Sequence, residues 1–195
     1  MKVEELFERV GTNILVVDVQ PAYRHHCDRI ARKVCNLLNQ QMGKKVVMWN
    51  GEDYTNDTIE DVQQYYIDKG LNPELIENGS IKFMEKQYAF FRDWMDNGIS
   101  DHIIIKVIRA MVAQRVNSSE DLDLSEVLWD DELEQVDDLE GGSIYLPYLV
   151  NVNELKQLSP FYMCGGGRNE CLREIELICN AFNIRYKRID SLIYG

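Results

Sequence analysis

Apolar positions along the chain fall into two alternating patterns. Ile14-Leu15-Val16-Val17 is a short, largely β-branched run closed by the polar turn Asp18-Val19-Gln20-Pro21, which predicts a buried strand. Cys27, Ile30, Ala31, Val34, Cys35 and Leu38 then recur every three or four positions and predict a helix ended by Gly43. Lys45-Val46-Val47-Met48-Trp49 predicts the next strand, with Asn50-Gly51 as its exit turn. A strand, a crossover helix and a second strand favour a parallel sheet with a right-handed connection.

The same reading predicts a helix over 58–69 capped by Thr58 or Asp57 and a third strand at Ile81-Lys82-Phe83-Met84. A short helix over 152–158, a strand over 160–164, a helical stripe through Cys171, Ile175, Ile178 and Phe182, and a closing strand over 184–189 follow. The expected fold class is α/β, a three-layer sandwich around a mostly parallel central sheet, formed as a single domain over 1–195. Residues 92–150 break the alternation with a helix at 101–115 and then an acidic stretch, and read as an insertion.

Composition narrows this picture. With 195 residues and 45% hydrophobic side chains, the chain can build a full core without disulfide or metal staples. It has no run of about 18 to 20 apolar residues, and the acidic start Met1-Lys2-Val3-Glu4-Glu5 is unlike a secretory leader, so the expectation is a cytoplasmic protein that does not engage a membrane. The five cysteines, at 27, 35, 164, 171 and 179, contain no Cys-x-x-Cys pair and are expected to be reduced thiols.

The net charge of -12 speaks against nucleic acid as a partner. That charge is local: residues 118–142 hold eleven of the 33 acidic side chains and none of the 21 basic ones. The stretch also carries Leu122, Leu124, Val127, Leu128, Trp129, Leu133 and Val136, too many apolar groups for a solvated linker. It is expected to be a partly ordered contact element, packed on its own domain or on a second copy of the chain, with its charged edge open to a basic protein partner.

Chemistry in an open α/β sheet gathers at the carboxyl ends of parallel strands. Asp18, Lys86 and Cys171 each follow a predicted strand and can converge there. A carboxylate can accept the thiol proton, an ammonium favours both anions, and a thiolate can attack a carbonyl carbon. Between the fourth strand and the last helix lies Cys164-Gly165-Gly166-Gly167-Arg168-Asn169-Glu170-Cys171. Its three glycines admit backbone conformations and close ligand approach that side chains obstruct, and the helix start after them offers unpaired N–H groups to an oxyanion.

These segments resemble the isochorismatase-like cysteine hydrolases. Ile14 to Tyr23 is similar to the family's opening strand and its Asp-x-Gln, Glu85-Lys86-Gln87-Tyr88-Ala89-Phe90 to its lysine segment, and Gly165 through Leu172 to its nucleophile loop, in the family's order. The resemblance implies Asp18 as general base, Lys86 as the group that tunes the pair and Cys171 as the nucleophile that forms an acyl intermediate. It also implies a cis peptide at Gly166-Gly167 and oxyanion donors at Gly167 and Cys171; Gly166, Arg168, Gln20 and Tyr23 are the further candidates for oxyanion or substrate binding.

Two departures shape the expected reaction. Trp49-Asn50-Gly51-Glu52-Asp53-Tyr54 lacks the histidine of the family's metal-assisted nicotinamidases, and Gly167, Arg168 and Asn169 replace the residues usual before the cysteine. The expectation is a hydrolase of a small amide, imide or carbamoyl-like substrate that uses neither metal nor cofactor. Other readings of the same residues stay open. Cys171 lies on the core stripe of Ile175 and Ile178, Asp18 can cap a turn, Lys86 can be solvated, and Arg168 can form an ordinary salt bridge. The chain would then be a non-catalytic binding or regulatory protein on the same fold, or a phosphate-binding module lacking the P-loop Gly-Lys-Ser/Thr.

Overall fold

The computed structural model describes residues 11–51, 55–86, 92–137, 143–144 and 149–195. Five parallel strands form one sheet in the order β3-β2-β1-β4-β5: β1 Asn13–Val17, β2 Lys45–Asn50, β3 Ile81–Lys86, β4 Phe161–Gly165 and β5 Tyr186–Arg188. Helices flank the sheet as in a three-layer, Rossmann-like sandwich. The expected α/β class is therefore observed, with every strand pair parallel.

The contacts divide the chain into two compact units, one of Met1–Lys86, Gln157–Arg173 and Arg185–Gly195, the other of Gln87–Lys156 and Glu174–Ile184. The first unit holds the whole sheet. Helix α1, Arg24–Gln40, places Cys27, Ile30, Ala31, Val34, Cys35, Leu37 and Leu38 in one core with Ile14, Val16, Val47, Trp49 and Ile81 of the strands. Helix α2, Ile59–Asp68, adds Val62, Tyr65 and Tyr66. The alternate strand residues Leu15, Val17, Met48 and Met163 are also fully buried, so both sheet faces are covered, as parallel sheets require.

Local chemistry sets the element ends. Thr58 and Asp61 form a reciprocal capping box at the start of α2, satisfying two of the orphan donors of the first turn. Helix α1 ends at Gln40 with Gln41 as its cap, short of the expected Gly43. Gly43 serves packing instead, because an added Cβ would collide with the Thr12 carbonyl as the chain turns into β2. Strand β3 runs two residues beyond the expected Met84, and β5 keeps only the middle of the expected 184–189. The short helix α3, Glu74–Glu77, has no apolar period to announce it.

The second unit begins with α4, Arg92–Asp96, and α5, Asp101–Gln114, the latter capped by Ser100 and closed by Arg115 at φ 60°. Helix α6, Asp130–Asp137, lies within the acidic stretch. There Leu122, Leu128 and Val136 are buried while Trp129 is 72% exposed. Glu132 of α6 accepts hydrogen bonds from Lys106 of α5 at 2.6 and 2.7 Å and from the Trp129 N–H at 3.0 Å, which together hold its carboxyl below the usual range. Three of the seven apolar residues named for this stretch are thus buried and one carboxylate is pinned, while positions 138–142 lie outside the described residues. Helix α7, Leu149–Leu158, leads to β4, and α8, Cys171–Ala181, follows it.

Gly165 closes β4 at φ 78° in register with Val17, where an added Cβ would strike the Val17 carbonyl. Gly79 has a similar φ of 69° with open space around it. Gly79→Ala should therefore cost only the left-handed strain of about 1–2 kcal/mol. Gly165→Ala should cost visibly more, at least about 2 kcal/mol, since a main-chain collision is added. Urea unfolding at equal slope measures both, and equal losses would mean that β1 moves aside freely.

Candidate active site

The strand order reverses at β1: β2 and β3 lie to one side of it, and β4 and β5 to the other. The carboxyl ends of β1 and β4 therefore meet at a topological switch point, the usual ligand position in such sheets. Asp18 follows β1, Lys86 is the last residue of β3, and Cys171 is the first residue of α8 after the glycine loop of β4. All three belong to the first unit.

Asp18 turns the chain out of the sheet at φ 49°, a left-handed conformation that an L side chain adopts only at a cost. Its N–H still donates to the Met48 carbonyl at 2.9 Å, so the turn begins from the end of the ladder. The side chain is fully buried and its Oδ2 accepts from Lys86 Nζ at 3.4 Å, with the lysine side chain 4% exposed. Oδ1 has no hydrogen-bond partner among the described residues. A buried ion pair with one bare carboxylate oxygen is expensive for a purely structural element and is the kind of exception that calls for a functional account.

Gln20 is fully buried, and its amide acts as an extra rung between strands. Oε1 accepts from the Asn50 N–H at 2.8 Å, and Nε2 donates to the Asn50 carbonyl at 3.0 Å and to Asp57 Oδ2 at 2.7 Å. Asp57 Oδ2 also accepts from the Ala22 N–H at 2.9 Å, and the Tyr23 hydroxyl accepts from Asn50 Nδ2 at 3.0 Å. Both Gln20 amide atoms are thus committed to protein, and the network fixes the loop that carries Asp18.

The glycine loop is fastened as well. The Gly167 carbonyl accepts from the N–H groups of Glu170 and Leu172 at 3.1 and 3.2 Å, which starts α8. The expected cis peptide at Gly166-Gly167 is absent: the cis bond among the described residues is Ser159-Pro160. Gly166 obtains its turn from a φ of 59°, so the reversal needs no cis bond. Arg168 donates to Asp190 Oδ1 at 2.9 Å, a carboxylate it shares with Arg188, and its guanidinium is therefore paired on the protein. His25 and His26 are exposed on α1, and residues 52–54 and 87–91, including most of the expected lysine segment, lie outside the described residues.

Cys171 differs from the other thiols in its surroundings. It is half-buried, whereas Cys27, Cys35, Cys164 and Cys179 are buried. Burial raises the Cys27 pKa and pushes Cys35, Cys164 and Cys179 up to about 12, so these four stay protonated near neutrality. Tyr194, 5% exposed, is the residue that sequence reasoning missed. Its hydroxyl donates to the Asp18 carbonyl at 2.8 Å, and burial, ahead of its nearness to Asp18 and Cys171, pushes its phenol pKa upward. No pattern in the sequence marks it, because its partners lie across the sheet.

Among the described residues no group of three or more His, Cys, Asp or Glu is placed to hold a metal ion. No helix among them is long and apolar enough to cross a membrane. No protein-family model, curated protein or solved structure matches this chain.

Removing Lys86 leaves the fully buried Asp18 carboxylate without the ion-pair partner it has in the structure. Lys86→Met should therefore destabilise the fold by roughly 3–5 kcal/mol, and adding Asp18→Asn should recover most of that loss. Urea unfolding of the two variants beside the native chain checks this. A double variant no more stable than Lys86→Met would mean that the two residues are not energetically coupled.

Proposed function

We propose that this protein is a cysteine hydrolase acting on a small amide, imide or carbamoyl-like substrate without a metal, of the isochorismatase-like kind that its motifs resemble. The observation that carries the reading is the buried Asp18–Lys86 pair with its bare Asp18 Oδ1, set at the switch point in the same unit as the half-buried Cys171 thiol. Asp18 takes the thiol proton and Lys86 stabilises the resulting charges. The Cys171 sulfur then bonds to the substrate carbonyl carbon, with the oxyanion directed to the N–H groups of Gly167 and Cys171. The C–N bond breaks as the departing nitrogen takes the proton from Asp18. Water then attacks the thioester, releasing the acid and restoring the thiol.

Incubation with a panel of small amides, followed by intact-mass measurement after a rapid acid quench, tests the reading. The native chain should show an adduct on Cys171 and turnover, and Cys171→Ala should lose both while keeping its unfolding midpoint. Undiminished turnover in Cys171→Ala would sink the assignment.

A second reading, that the acidic stretch binds a basic protein segment, is favoured by one observation: Trp129 is 72% exposed, with Lys106 against its ring at 5.6 Å. An arginine-rich peptide is the matching probe, since guanidinium groups suit both carboxylates and indole faces. Trp129→Ala should leave stability within about 0.5 kcal/mol, yet weaken capture of that peptide, and salt should weaken it further. Capture indifferent to both changes would remove this reading.

A further inference from the structure

One residue is bonded to both loops of the candidate site. The Tyr194 hydroxyl donates to the Asp18 carbonyl at 2.8 Å, where φ 49° has turned the chain out of the β1 ladder. Its own N–H donates to the Gly166 carbonyl at 3.2 Å, and its carbonyl accepts from the Arg168 N–H at 3.1 Å, forming a parallel bridge at Gly167. The ring of His26 on α1 stacks on it with centroids 6.0 Å apart and planes 19° from parallel. Tyr194 is thus held on its backbone by the loop that leads into Cys171 and on its side chain by the residue that offers the carboxylate. Burial, and after it the charges of Asp18 and Cys171, push its phenol pKa upward, so the hydroxyl remains a donor at any working pH.

We infer that Tyr194 is a positioning residue for the candidate reaction, a strut that fixes the Asp18 turn relative to the glycine loop and so sets how the carboxylate meets the Cys171 thiol. The inference rests on the hydrolase reading for its chemical consequence, although the strut itself is a matter of geometry. A tyrosine with a solely apolar role would need neither a hydroxyl bond to a backbone carbonyl nor two main-chain bonds to the opposite loop. Here the three bonds converge on the two segments whose spacing a proton transfer depends upon.

Tyr194→Phe is the discriminating variant, because it keeps the ring, the His26 stack and the main-chain bonds while deleting the bond to Asp18. Two measurements are made on the full chain. Hydrogen exchange should accelerate roughly fivefold or more at residues 18–20 and stay unchanged at 165–171. The pH profile of Cys171 carboxamidomethylation should shift by about half a pH unit or more, while Cys35, Cys164 and Cys179 remain slow to label. An unshifted Cys171 profile in a native chain whose Cys171 labels selectively overturns the inference, as does acceleration of all five cysteines, which reports loss of fold. If Cys171 of the native chain labels no faster than Cys35, the hydrolase reading fails and exchange alone decides the strut. Acceleration confined to 18–20 then upholds it, and unchanged exchange overturns it.

Discussion

A carboxylate buried beside a lysine at the end of a parallel sheet constrains everything around it. Asp18 and Lys86 are 68 positions apart and meet because β1 and β3 both pair with β2 in a register that sets Val17, Met48 and Met84 in one row, so that the last residues of β3 extend past the end of β1. The desolvation cost of such a pair is repaid when its geometry is fixed and its neighbours supply further hydrogen bonds. The Gln20 amide spanning the Asn50 peptide, Asp57 beneath it and the Tyr194 hydroxyl on the Asp18 carbonyl supply that rigidity. The incomplete part is Oδ1, which has no hydrogen-bond partner among the described residues, an exception to the usual satisfaction of buried polar groups.

Much of the fold is legible in the sequence because its core elements depend on local periodicity. The run ending at Val17 and the stripe from Cys27 to Leu38 state a strand and a helix without reference to the rest of the chain. What escapes is set by distant partners. Glu85 and Lys86 do not read as a continuation of a strand, yet β3 runs to Lys86 because Trp49 and Asn50 offer backbone partners in register. Gly43 looks like a helix stop and is a steric necessity imposed by Thr12, thirty-one positions earlier.

The candidate site divides along the same line. Asp18, the glycine loop and Cys171 announce themselves by standing where strands end, and they do stand there. Gln20 and Arg168 share that address, but each is engaged with protein groups, a fact that only the distances to Asn50, Asp57 and Asp190 disclose. Tyr194 lies beyond the shortest strand in a segment with no periodic signal, and its bonds reach residues 176 and 28 positions away.

The five cysteines show how burial places one residue type in two different environments. In Cys164 and Cys179 the thiol is a small apolar group, and the absence of water that makes it pack well also opposes its ionisation. Cys171 shares the helix of Cys179 but sits in its first position, where the glycine loop keeps side chains away from the main chain. Two turns of helix therefore separate a thiol buried in the core from one that solvent can reach. The loop preserves that difference: Gly165 must pass close to the Val17 carbonyl and Gly166 close to Leu172, so side chains at these positions would move the helix start away from the strand that carries Asp18.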